Sequence, residues 1–221
     1  MKSTRKVILL SLTGLFGVCI FASVTWSFVP VSAYSEKIDV FKKLNLKLVK
    51  TDSMPDKIKV RVRDAVLTTR QFERYKAFRQ SEAELKSETP PTDEMLLEEW
   101  ITEELLYQQA MKENVGVSLD EAMKEVQKAK AFLESLPPDS EIRRFHRQVL
   151  EAMGVSEEQY WNEIMPSEYR KMMSISRLYD ELVKRGQLRP PSGDSNEWAE
   201  QIRRYRHQRY QESIGKEVFI Y

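Results

Sequence analysis

Two short strand patterns stand at opposite ends of an otherwise helical sequence, and they constrain the fold more than any other feature. Ile58, Val60 and Val62 alternate with basic residues, a period of two that predicts a half-buried strand. Residues 218–221 form a second short apolar run. A strand needs a hydrogen-bonded neighbour, because unpaired backbone groups are costly to bury. The sequence therefore predicts that the two strands pair and close residues 57–221 into one domain.

Helix start signals divide the region between these strands. Capping boxes, in which a Ser or Thr and a Glu or Gln three residues later bind each other's backbone N–H groups, begin at Thr68, Ser118 and Ser156. Pro166 is expected to kink the helix that follows Ser156. The predicted helices begin at Thr68 and then cover residues 93–113, 118–136, 140–153, 157–185 and 196–211. The predicted fold is mainly α, with a small β-ribbon formed by the N-terminal and C-terminal strands.

The N-terminal segment, residues 1–33, predicts export. Lys2, Arg5 and Lys6 precede an uncharged and mostly apolar run of 22 residues, 7–28. A helix of that length reaches about 33 Å, enough to cross a bilayer core of about 30 Å. Positive charge on the short side keeps the N-terminus in the cytoplasm and places the rest of the chain outside the membrane.

Two fates of this segment stay open. Its apolar length favours an uncleaved signal-anchor, which would tether the chain as a single-pass membrane protein through residues 7–28. The sequence Val-Ser-Ala at 31–33 favours a signal peptide cleaved after Ala33 and a secreted product. Both fates make the remaining chain extracytoplasmic. Lipid attachment at Cys19 is disfavoured, because apolar residues follow the cysteine where a polar tether is expected.

Residues 34–56 are predicted to connect the N-terminal segment to the domain. Within them Val40, Phe41, Leu44 and Leu48 line one side of a short amphipathic helix. A tether or a local packing element is favoured over a helix that lies on the membrane surface.

Composition excludes several classes of protein. Charged residues make up 31% of the chain but nearly balance, and the net charge of +1 argues against a dedicated nucleic-acid binder. Seven glycines in 221 residues are too few for a strand-rich barrel or sandwich with many tight turns. The lone cysteine, Cys19, leaves the exported part without disulfides.

No pattern of catalytic or metal-binding residues emerges, so neither enzyme activity nor a metal or cofactor is expected. His146 and His207 lack a second ligand at metal-binding spacing, and each is predicted to be a surface or partly buried residue. A solvated face is predicted for the acidic residues Glu94, Glu98, Glu99, Glu103 and Glu104. An ordinary basic helix face is predicted for Arg203, Arg204, Arg206 and Arg209.

Methionines and aromatic residues gather around the predicted kink. Flexible thioethers beside aromatic rings suit a surface that accepts varied apolar segments, although the same residues could fill the core between helices. The candidate residues for binding such segments are Met153, Tyr160, Trp161, Met165, Tyr169, Met172 and Met173.

The order of several motifs resembles a known family. The first strand is followed by Leu-Thr-Thr-Arg-Gln-Phe at 67–72, and later helices start with Val-Ser-Leu-Asp-Glu at 117–121 and Gly-Val-Ser-Glu-Glu-Gln-Tyr at 154–160. Together with the leucine-rich helix between them, these motifs resemble the helical chaperone domain of SurA and PrsA-type extracytoplasmic foldases. One departure is Arg63-Asp64, where the family often carries Asn-Gly.

The resemblance implies a helical domain that binds unfolded or partly folded exported proteins. It implies no isomerase activity, because only a short linker stands at 186–196, where a parvulin domain would need about a hundred residues. An adaptor or scaffold of a cell-envelope complex is the alternative function, and a peptidyl-prolyl isomerase is the third. Polypeptides and, with an uncleaved anchor, the membrane are the expected partners; nucleic acid is not.

Overall fold

Helices and one small sheet form the part of the chain that the structure, a computed structural model, describes: residues 33–191 and 195–221. The helices are α1 Ala33–Asp52, α2 Thr69–Lys86, α3 Asp93–Lys112, α4 Leu119–Ser135, α5 Glu141–Met153, α6 Glu157–Gln159, α7 Met165–Lys184 and α8 Ser195–Ser213. The strands are β1 Ile58–Val62, β2 Ala65–Thr68 and β3 Val218–Ile220. A π-helical turn, Tyr160–Ile164, joins α6 to α7. The predicted helical fold is confirmed, and the apolar run at 7–28 lies outside the described residues.

The sheet joins the two ends of the domain as predicted. β3 pairs antiparallel with β1, with Val218 opposite Val62 and Ile220 opposite Val60. Val60 and Val62 are completely buried and Val218 is 2% exposed, because this face of the sheet covers one of the hydrophobic clusters. The alternation in the sequence therefore indicated both the strand and its buried face.

One strand was not predicted. β2 pairs antiparallel with the other edge of β1, so the expected two-stranded ribbon is a three-stranded sheet with the order β2-β1-β3. The hairpin turns at Arg63, which adopts a positive φ of 50° that non-glycine residues rarely take. Contacts with Glu217 stabilise this turn: the Arg63 backbone N–H donates to the Glu217 carbonyl at 2.9 Å, and its guanidinium pairs with the Glu217 carboxylate.

The helix start signals are confirmed. Thr68, Ser118 and Ser156 each accept a hydrogen bond from the backbone N–H three residues later, and each capping box is reciprocal. Gly154 ends α5 with a φ of 66°, a left-handed conformation that glycine adopts without steric cost.

The segment predicted as a connector contains α1, which is built into the core. Val40, Phe41, Leu44 and Leu48 are all at most 5% exposed, and the last three pack with residues of α2 and α5. The local-packing interpretation of this apolar face is confirmed. Within residues 33–191 and 195–221, no helix is long and apolar enough to cross a membrane.

α3 is the central helix, and its predicted solvated face is partly wrong. Six consecutive residues, 101–106, are buried, including Glu103 and Glu104 at 7% and 9% exposure. The reason is that α3 contacts β1, α7 and α8, which together cover most of its circumference. Periodicity within one helix does not show such enclosure.

Candidate polypeptide-binding surface

Pro166 shapes the helix that carries the candidate residues. Proline has no N–H and its ring crowds the carbonyl four residues earlier, so a regular helix cannot continue through it. The chain forms a π-helical turn just before it, in which the Met165 N–H donates to the Tyr160 carbonyl five residues back. Tyr160 and its neighbour Trp161 are both 1% exposed. In place of the predicted kink, the helix is thus locally widened into a π-helical turn, and the face of this turn that carries Tyr160 and Trp161 is buried.

Three rings form the centre of this face. The ring centroid of His146, on α5, lies 5.1 Å from that of Tyr160 and 5.4 Å from that of Trp161. The His146 and Trp161 rings are stacked. Tyr160 and Trp161 meet edge to face at 5.0 Å. His146 is 3% exposed, so its prediction as a surface or partly buried residue is wrong. The sequence did contain a sign of this burial, because His146 lies on one helix face with the apolar residues Ile142 and Val149.

Replacing His146 with phenylalanine is expected to stabilise the domain increasingly as the pH falls. Burial lowers the pKa of His146 below its ordinary value of 6.5. The unfolded chain therefore binds a proton at this residue more readily than the folded chain. The free energy of unfolding of the wild type then decreases as the pH falls below 6.5. Phenylalanine keeps the ring stacking and cannot be protonated.

Urea unfolding across the acidic range measures the effect. His207→Phe is the matched control, because the His207 side chain is 58% exposed and the change adds no ring to the core. A difference between His146→Phe and wild type that stays constant from neutral to acidic pH would contradict this role of the buried imidazole.

The structure places the seven candidate residues in two groups. Tyr160, Trp161, Met165 and Tyr169 are at most 7% exposed and belong to one buried cluster. Burial raises the pKa of Tyr169 to about 12. The three other candidates are half-buried at the margin of this cluster, together with aliphatic side chains that no sequence pattern indicated. We call this margin the methionine rim; it comprises Met153, Met172, Met173, Leu136, Ile142, Leu150 and Val155.

Hydrogen bonds fix α7, which carries two of the rim methionines, against the start of α4. The Arg170 Nε–H donates to the Val117 carbonyl at 3.0 Å, and the Val117 N–H donates to the Ser174 hydroxyl at 2.9 Å. Arg177 pairs with Glu121 at 2.8 Å, and its hydrogen bond lowers the pKa of that carboxyl to about 2. The rim therefore stands on a backbone that is held at several points.

Charged side chains of α7 and α8 pair with the buried glutamates of α3. Lys171 of α7 lies 3.1 Å from the Glu104 carboxylate, and Arg206 of α8 lies 3.8 Å from that of Glu103. Burial raises the pKa of Glu103 to about 7, although Arg206 opposes the shift. Arg206 is largely buried in this pair, with 18% of its side chain exposed, which corrects its prediction as part of an ordinary basic helix face. Arg203 and Arg204 are exposed as expected.

One pocket in the described part of the structure is poorly suited to an apolar ligand. A shallow pocket of about 470 Å³ lies beside α3 and α8, but its lining is polar and charged, including Arg63, Glu113 and Arg209. No group of three His, Cys, Asp or Glu residues is arranged to hold a metal ion in the described ranges. The rim remains the candidate binding surface.

Comparison with models of protein families assigns the chain to a family. The model of the SurA-like N-terminal domain matches residues 14–174, most of the sequence. The chain belongs to the SurA-like N-terminal domain family. This confirms the resemblance drawn from the motifs, and the match includes all residues of the methionine rim. α8 and β3 of this SurA-like domain lie beyond the matched residues. No curated protein and no solved structure matches the chain.

Proposed function

We propose that this SurA-like protein is an extracytoplasmic chaperone that binds unfolded or partly folded exported polypeptides at its methionine rim. The observation that carries the proposal is the rim itself: half-buried methionine and aliphatic side chains pack against a buried cluster that contains Tyr160, Trp161 and Tyr169. Membership of the SurA-like family supports the same function. The basic residues before the apolar run at 7–28 support an extracytoplasmic location.

Binding would be reversible burial of apolar segments, without catalysis, nucleotide or metal. Each square ångström of apolar surface removed from water contributes about 25 cal/mol. The thioethers of Met153, Met172 and Met173 can adjust their rotamers to different client side chains. Tyr160 and Trp161 support the rim from below and do not contact the client, since both are 1% exposed.

Replacing the three rim methionines with glutamine is expected to remove most of the chaperone activity while the domain stays folded. Glutamine keeps the length of methionine but replaces the thioether with a hydrated amide, so a client gains less by binding. The measurement is light scattering by an unrelated protein diluted from denaturant. Wild-type protein should slow its aggregation, and Met153→Gln with Met172→Gln and Met173→Gln should not.

The matched control uses methionines away from the rim. Met95 and Met111 of α3 are 59% and 37% exposed, and their replacement by glutamine should leave the activity unchanged. Circular dichroism verifies that both sets of variants fold. A folded triple variant with full activity would refute the rim as the binding site. Wild-type protein that leaves the aggregation of several clients unchanged would instead favour the single-partner adaptor.

A further inference from the structure

We propose that the outer stripe of α1, formed by Leu46, Val49, Lys42 and Lys50, docks on the surface of an anionic lipid bilayer. Leu46 and Val49 are 70% and 63% exposed, although α1 already buries a complete apolar face on the other side. Residues three apart lie on the same side of a helix, so the two side chains form one patch. Packing within the domain does not account for this patch.

The charges around the patch match an anionic surface. Lys42 and Lys50 stand four residues before and four residues after Leu46, which places a cation at each end of the patch. Both lysines are exposed, and Lys42 has only a loose pair with Asp39 at 3.9 Å between two well-exposed side chains. An apolar stripe flanked by lysines is the pattern of helices that lie in the membrane interface.

Two other lysines of α1, Lys43 and Lys47, have a different role. Lys43 pairs with Glu84 at 2.7 Å, and Lys47 donates to the Gln80 side-chain oxygen at 3.2 Å. Both partners belong to α2, so these lysines fasten α1 to the domain. The cations at the ends of the outer stripe are not used in this way.

The chain before α1 determines which surface the stripe meets. The apolar run at 7–28 predicts a membrane anchor, and α1 begins at Ala33. Five residue steps of extended chain span at most about 18 Å. The anchor thus holds α1 next to the lipid, where even weak contacts are populated because the effective concentration is high. The proposal requires the uncleaved anchor and goes beyond client binding at the rim.

Site-specific labelling of the full chain in vesicles tests the docking. The lone cysteine is removed by Cys19→Ser, and a fluorescent label is attached at Leu46→Cys or, as the control, at Leu119→Cys. Leu119 is also well exposed, at 51%, but it lies at the start of α4. Vesicles contain phosphatidylcholine alone or with phosphatidylglycerol, and nitroxide-bearing lipids quench a label that reaches the interface.

The label at position 46 should be quenched several-fold more than the label at 119 in vesicles that contain phosphatidylglycerol. Added salt and the changes Lys42→Gln and Lys50→Gln should each reduce the difference, because both weaken attraction between lysines and anionic lipid. Equal quenching at the two positions overturns the proposal. A chain that does not float with the vesicles also overturns it, because the anchor on which it depends is then absent. Neither result affects the aggregation assay of the rim.

Discussion

Replacing Arg206 with methionine is expected to destabilise the domain by about 3 kcal/mol near pH 8 and much less near pH 5. Arg206 is the cation closest to the buried Glu103 carboxylate, at 3.8 Å. Without it an ionised Glu103 would be enclosed in the contact between α3 and α8 with little compensation. Most of the penalty disappears in acid, because Glu103 is then protonated in wild type and variant alike.

The wild-type protein has a related pH dependence. Burial raises the pKa of Glu103 to about 7 from its ordinary value of 4.5, so the folded state holds this proton more tightly than the unfolded state. Stability therefore falls by about 3 kcal/mol in total as the pH rises from about 4.5 to above 7. Glu103→Gln should remove this part of the pH dependence.

Urea unfolding near both pH values measures these effects. Arg203→Met is the matched control on the same helix, because Arg203 is exposed and should tolerate the change at either pH. The double variant Glu103→Gln with Arg206→Met should recover most of the stability near pH 8, since it leaves no buried charge unpaired. A loss in Arg206→Met that is equal at both pH values would show that packing of the arginine stem, rather than its charge, stabilises α8.

Replacing Val218 with aspartate is expected to cost at least about 3 kcal/mol and to lower the melting temperature by about 10 °C. Val218 is 2% exposed, pairs with Val62 and packs in the same hydrophobic cluster as Phe72. An aspartate there would place an uncompensated charge in the core and weaken the contact between β1 and β3.

The neighbouring residue provides the control. Phe219 is in the same strand but 48% exposed, so Phe219→Asp should change stability by less than about 1 kcal/mol. Thermal unfolding near neutral pH compares the two variants. Equal melting temperatures for Val218→Asp and wild type would mean that β3 does not close the domain.

Local signals predicted the framework of this fold. A capping box involves backbone and side chains within four residues, so Thr68, Ser118 and Ser156 could be identified without knowing any tertiary contact. The pairing of β1 with β3 followed by exclusion, because the sequence showed only these two strand patterns and each needed a partner. β2 was missed since Ala-Val-Leu-Thr at 65–68 is too short to distinguish a strand from the approach to a helix.

Burial of the charged and aromatic residues could not be predicted in the same way. Glu103 and Glu104 follow a helical spacing that is equally typical of a solvated face, and only the positions of α7 and α8 show that they are enclosed. Likewise, Met172 and Trp161 fall in the same predicted helix, 157–185, with similar spacing, yet Met172 is half-buried and Trp161 is 1% exposed. The π-helical turn alters which side chains share a face, and periodicity assumes a regular helix.

The end-to-end closure of the sheet imposes an order of events on folding. Contacts within and between successive helices are local and can form early, whereas β1 and β3 are separated by almost the whole domain. In a chain that emerges N-terminus first, β1 is available for pairing long before its partner. Until β3 arrives, one edge of β1 exposes unpaired N–H and C=O groups. The three residues of β3 thus complete the sheet last, and the rate of this step sets how long the open edge of β1 can pair with another chain.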